Sequence, residues 1–192
     1  MARKKPVHMA ALGILTAGTV LGTGSLIAPS QADAEPRKST NVSVTAESAH
    51  GMLINLYSQA ANGASIDIAS DFTIGETTRA DVIDKIGQPY TSGTFDTYHA
   101  EMGNPGFHFK YNQDGILKEI RYLGTNVERK TNLGSITPAV LEQQIGKADT
   151  ITSIPSTDQH KYSYETGSYQ LEFIVNDDTL KVDHVNLVTE TY

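Results

Sequence analysis

Cysteine and tryptophan are both missing from this chain of 192 residues. Without Cys there is no disulfide, no thiolate metal site and no thiol nucleophile, so the apolar core alone must hold the fold. Positive charge is scarce as well: 15 Lys and Arg stand against 22 Asp and Glu, a formal charge of −7. No basic run follows the first few residues, which argues against a general nucleic-acid binder, because phosphates are contacted by Lys and Arg. Catalytic signatures are lacking too. Beyond residue 34 there is no Gly-x-Ser-x-Gly and no Ser-x-x-Lys. His50, His99, His108, His160 and His184 never fall at the helical spacing of a zinc protease. The expectation is no enzyme, no cofactor and no metal.

What is present begins with an export signal. Arg3, Lys4 and Lys5 precede an apolar stretch from Met9 to Ile27, and Ala32-Asp33-Ala34 supplies the small-x-small pattern of signal peptidase. Cleavage is expected after Ala34, giving a secreted protein. Gly13, Gly18, Gly22 and Gly24 dilute the stretch too far for a stable membrane anchor. The remaining 158 residues carry 12 basic and 21 acidic side chains, a net of −9, and contain no later membrane span.

Residues 35–43 are polar and read as a flexible leader. A helix is expected over 44–63, because Ala49, Leu53, Leu56, Tyr57 and Ala60 share one face and Asn62-Gly63 gives a stop. Beyond it the chain duplicates. Thr78 to Gly87 and Thr137 to Gly146 each place Thr nine residues before Gly, with Val82, Ile83 and Ile86 or Val140, Leu141 and Ile145 between. Thr supplies an N-cap hydroxyl and Gly a helix stop, so each segment reads as one short helix. A strand-rich stretch follows each. Phe107 to Tyr111 runs into Asn112-Gln113-Asp114-Gly115 and returns through Leu123; Leu171 to Val175 turns at Asn176 to Thr179 and returns through Leu187. The Asn112 segment has the flavour of a calcium loop, and Asp183-His184 near Asp177-Asp178 that of a cation site. Both read better as hairpin turns, since the first lacks the length and terminal Glu of a calcium loop.

The expected fold is therefore α+β: a tandem repeat of a short helix and an antiparallel β-meander, repeat 1 at 70–124 and repeat 2 at 132–190, with the extra N-terminal helix. Phe107, Phe109, Tyr111, Tyr169, Leu171, Phe173 and Val175 should face the helices. Alternation then leaves an open face carrying His108, Lys110, Glu119, Arg121, Gln170 and Glu172. These six are the candidate binding residues. The competing reading is a solvated face whose charges pair across strands. Tyr90, Phe95 and Tyr162 are further aromatics that could anchor a partner or cap the core.

Gly75-Glu-Thr-Thr78, Val82, Ile86-Gly87-Gln-Pro89 and Phe107 to Tyr111 with Asp114-Gly115 and Ile120 resemble the helix-plus-meander repeat of beta-lactamase inhibitor proteins and of the small outer-membrane assembly lipoproteins (SmpA/OmlA-like). From Leu53 to Val188 the chain looks like the YjgB-like domain of unknown function of secreted Gram-positive proteins. That resemblance rests on Ile83 to Pro89, Phe107 to Arg121, Ile145 to Asp149, and Tyr162 through Phe173 to Val185. It departs where Ile86 replaces an expected Trp. The resemblance implies an architecture and carries no activity with it. The expected function is a non-enzymatic module binding an extracellular or envelope protein. The alternatives are an inhibitor of a secreted or envelope hydrolase, and a wall-associated enzyme.

Overall fold

The computed structural model describes residues 41–100, 103–125 and 132–189. The expected export signal and residues 35–40 of the expected leader lie outside the described residues.

The first helix, α1 (Asn41–Ala60), starts three residues before the expected position, so 41–43 belong to helix and not to leader. No Gly or Pro stands between Asn41 and His50 to stop it, and a helix once nucleated propagates until something does. It ends earlier than expected: Ala60 is the last helical residue, and Gly63 closes the turn by donating to the Ala60 carbonyl at 3.0 Å. Gly63 has φ +70, and the Tyr169 ring occupies the space a β-carbon would need, so only Gly fits this junction. Ala49, Leu53, Leu56 and Ala60 are buried, as the stripe predicts.

Two further helices match their sequence signals. In α2 (Arg79–Ile86) the Thr78 hydroxyl accepts from the Asp81 N–H while the Asp81 carboxylate accepts from the Thr78 N–H, a complete capping box. In α3 (Pro138–Ile145) the Thr137 hydroxyl accepts from the Val140 N–H and Pro138 fills the first position, where no donor is required. Gly87 and Gly146 terminate them with nearly identical backbone angles, φ 85 and ψ −174 against φ 92 and ψ −174.

Seven strands follow: β1 (Asp96–Tyr98), β2 (Gly106–Tyr111), β3 (Leu117–Gly124), β4 (Thr150–Ser153), β5 (Gln159–Thr166), β6 (Tyr169–Asn176) and β7 (Lys181–Thr189). They form one antiparallel sheet in the order β1-β2-β3-β7-β6-β5-β4. The last strand of each meander thus meets the other at the centre, with Ile120 opposite Leu187 and Tyr122 opposite Val185. Asn112 Oδ1 accepts from the N–H groups of Asp114 and Ile116, which makes the segment a hairpin turn as expected. Register slips twice between β2 and β3, leaving Lys118 and Leu123 as extra residues in β3, and once between β6 and β7, leaving Asp183 in β7; the slips at Lys118 and Asp183 correspond.

One face of the sheet carries the core. Phe107, Phe109, Leu117, Ile120, Tyr122, Leu171, Phe173, Val175, Val182, Val185 and Leu187 pack there against Leu53, Leu56, Val82 and Leu141 of the helices. Tyr111 and Tyr169 pack at its margin. Burial of this set is the main favourable term holding a fold that has no covalent cross-link.

The two sheet edges differ. At the β1 edge, the Tyr90 N–H donates to the Thr97 carbonyl and the Thr97 N–H donates to the Thr91 carbonyl, both at 2.9 Å, so a preceding segment covers the strand. At the other edge all four residues of β4 are exposed.

Candidate functional site

Because side chains alternate along a strand, the face away from the helices collects every second residue. Register places Thr97, His108, Arg121, Asn186, Glu172, Ser163 and Thr150 in one row that crosses all seven strands. A second row holds Lys110, Glu119, Val188, Gln170 and Glu165. The six candidate residues therefore share one face.

Their charges pair. Lys110 Nζ lies 3.5 Å from Glu119 Oε2, and Arg121 Nη2 donates to Glu119 Oε1 at 3.3 Å. Arg121 Nε donates to Asn186 Oδ1 at 3.0 Å, and Asn186 Nδ2 donates to Glu172 Oε2 at 3.3 Å. Lys161 Nζ completes the series by donating to Glu172 Oε1 at 2.7 Å. The result is a continuous polar chain from Lys110 to Lys161 over five strands. Glu119 and Glu172 are nearly buried, at 13% and 10% side-chain exposure, whereas Arg121, Lys110 and Lys161 keep about a third. Gln170 stands one step along β6 from Glu172, opposite Val188. Ser163 Oγ, opposite Glu172, is buried and makes no hydrogen bond among the described residues.

Phe95 covers this face beside β2. Its ring centre lies 4.7 Å from the Arg121 guanidinium carbon, 5.2 Å from Lys110 Nζ and 5.9 Å from the His108 ring. The geometry is that of cations held over an aromatic face. Burial, with Arg121, His184 and His99 nearby, holds the His108 pKa below its ordinary value, favouring the neutral ring.

On the other side of Arg121 a cleft of about 460 Å³ opens. Lys161, Glu172, Ile174, His184 and Asn186 line it with Arg121, and Ile154 and Pro155 of the β4–β5 hairpin wall it. His184 Nδ1 is 2.8 Å from Asp183 Oδ2, and His160 Nδ1 is 2.7 Å from Asp177 Oδ1, so Asp183 and Asp177 of the one cation site considered each engage a different imidazole. Among the described residues no group of three His, Cys, Asp or Glu side chains could hold a metal.

Sequence alternation gives six residues of the face but not Lys161 or Asn186; His184 enters the sequence reading only as part of a cation site, and Phe95 as an aromatic that could anchor a partner or cap the core. Of the other aromatics considered, Tyr162 packs at the core margin, and Tyr90 is 74% exposed against the His99 ring at 4.3 Å.

One antiparallel sheet, three helices on one side and a charge-paired polar face on the other define an α+β protein. The chain belongs to the family described as Domain of unknown function (DUF4309), which it matches over residues 53–188. It is 39% identical over 182 residues to the uncharacterized protein YjgB of Bacillus subtilis, covering 93% of this chain and 94% of that one. The crystal structure of the Bacillus subtilis YjgB protein superposes with a TM-score of 0.71 at 40% identity, over 75% of this chain and 99% of that chain. An extracellular protein of Bacillus anthracis containing a SCP domain matches at a TM-score of 0.42 and 7% identity, over 86% of this chain and 50% of that chain.

Proposed function

We propose that this is a secreted, non-enzymatic binding module that engages an extracellular or envelope protein through the open sheet face. The observation that carries the reading is Arg121. It stands in the central row, its guanidinium fixed by Glu119, Asn186 and the Phe95 ring, yet its side chain remains 27% exposed beside an open cleft. A cation already oriented in this way loses little freedom when a partner arrives, and Arg with aromatic neighbours is the usual anchor of protein interfaces. Glu119 and Glu172 are each engaged by a cation, which suits recognition better than proton transfer.

The finer architecture belongs to the same reading. Two helix-plus-meander units related by duplication account for the matched caps Thr78 and Thr137, the matched stops Gly87 and Gly146, and bulges at Lys118 and Asp183. They account also for the reciprocal central register, in which Arg121 faces Asn186 with equal steps on either side. Such a repeat resembles that of beta-lactamase inhibitor proteins. It supports a second reading, an inhibitor of a secreted or envelope hydrolase.

Affinity capture tests the first reading. Residues 35–192 serve as bait on envelope and culture fluid of the producing organism, beside a bait carrying Lys110→Glu and Arg121→Glu whose circular dichroism is unchanged. One protein kept by the first bait and lost by the second supports the module. Equal retention by both overturns the role of this face. Stoichiometric inhibition of the captured protein's hydrolase activity would select the second reading. Export is checked separately, by an amino-terminus at Glu35 in the culture fluid.

A further inference from the structure

The β4 edge is chemically unlike its counterpart. Thr97, the outward-facing residue of β1, has its N–H and its carbonyl both taken by the Tyr90–Thr91 segment. Along β4, Ile154 donates to the Gln159 carbonyl, and antiparallel pairing alternates, so Thr152 and Thr150 also turn inward to β5. Ile151 and Ser153 therefore turn their N–H and carbonyl groups outward. Nothing native to edge protection stands there: Thr150-Ile151-Thr152-Ser153 has no charge, no Pro and no bulge. Ile151 is also 55% exposed, above a cleft of about 490 Å³ lined by Pro138, Ala139, Ala148 and Tyr162.

We infer that this edge pairs with the same edge of a second copy of the chain, antiparallel and about a two-fold axis at Thr152, joining two sheets into one of fourteen strands. In that register Ile151 faces the partner's Ser153 and each Thr152 faces the other, so the ladder is self-complementary. Charges at the strand's ends suit the same arrangement. Lys147, 86% exposed, precedes β4, and Asp158 follows it in the hairpin, so an antiparallel partner brings opposite signs together. The Asp149 carboxylate is held toward β5, where it accepts from the Glu165 N–H. The exposed ladder is short, below the ~1,200 Å² of a standard interface, which makes the association reversible and weak. The net charge of −9 on residues 35–192 repels two copies, so added salt strengthens it.

Sedimentation velocity on residues 35–192 tests this, since the Bacillus subtilis structure shows that a region corresponding to 75% of the chain folds by itself. The weight-average mass is expected to double between roughly 10 µM and 1 mM, at lower concentration in 0.5 M than in 0.05 M NaCl. Ser153→Pro removes only an outward donor, and Ile151→Lys adds like charge without touching the backbone. Each should leave circular dichroism unchanged and the protein monomeric. A wild-type monomer at about 1 mM in high salt overturns the inference, as does a dimer that survives both substitutions. The outcome is independent of Arg121, whose replacement should leave the dimer intact.

Discussion

The Tyr98 hydroxyl donates to the Gly87 carbonyl at 2.8 Å, tying the end of α2 to the first strand. The Tyr164 hydroxyl reaches the Gly146 carbonyl of α3 at 3.3 Å, the same tie in the second half. Burial raises both phenol pKa values, that of Tyr164 to about 12, so both remain donors throughout the ordinary pH range. Tyr98→Phe should cost about 1 kcal/mol, and Tyr164→Phe, whose bond is longer, somewhat less. Urea unfolding with an unchanged m-value checks the pair.

Gly51 lies inside α1, exposed, with open space where a β-carbon would go. Gly→Ala in a helix interior stabilises by about 1 kcal/mol, through backbone freedom removed from the unfolded chain. Gly51→Ala should therefore raise the thermal midpoint. Gly63→Ala, against the Tyr169 ring, should lower it.

Asp96, only 4% exposed, is a nearly fully buried carboxylate held in an ion pair: Arg79 Nε lies 2.6 Å from Asp96 Oδ2. Arg79 Nη2 also reaches Asp96 Oδ1 and Ser92 Oγ. Arg79→Ala would strand a buried carboxylate. A fully buried pair would lose 3 kcal/mol or more, but the Arg79 side chain is 42% exposed, so about 2 kcal/mol is expected. Arg79→Lys should recover part of it, since one ammonium cannot reproduce the forked contacts. Chemical unfolding of the three proteins at pH 7 decides.

His108 should make stability fall in mild acid. Its pKa is held below the unfolded value of 6.5, first by burial and then by Arg121, His184 and His99. As pH drops through 6.5 the unfolded chain takes the proton before the folded one, so the contribution is full above that value and is lost as pH falls toward the folded pKa. His108→Asn removes this dependence. The difference between wild-type and variant stability should therefore shrink as pH falls from about 7.5 to 5.5, and a constant difference would exclude His108 as its source.

Much of the sheet could be read from particular residues. Phe107 and Phe109 alternate with His108 and Lys110, and Leu171 and Phe173 with Gln170 and Glu172, so periodicity alone sorted core from open face. The same rule applied beside Tyr162 and Val185 would have given Lys161 and Asn186. What it could not give is that Arg121 meets Asn186, because that contact depends on which strand lies next to β3, a choice made 65 residues away. Strand β4 escaped because an exposed edge needs no apolar alternation: Thr150 to Ser153 has one Ile and three hydroxyl residues. Phe95 was legible as an aromatic that could anchor a partner, but not its position over Arg121, which follows from the path of a turn and has no period. The helix start was misplaced because cooperativity carries a helix through polar residues that packing does not require.

The central pairing of β3 with β7 also sets an order of events. The seam between the two meanders is closed by β7, so the sheet becomes continuous only once residues 185–188 have paired with β3. Until then a growing chain can hold at most two partial sheets, each with a raw apolar flank. Continuity of the sheet rests on β7, and deleting residues 181–189 would be expected to leave two half-sheets with no seam to join them.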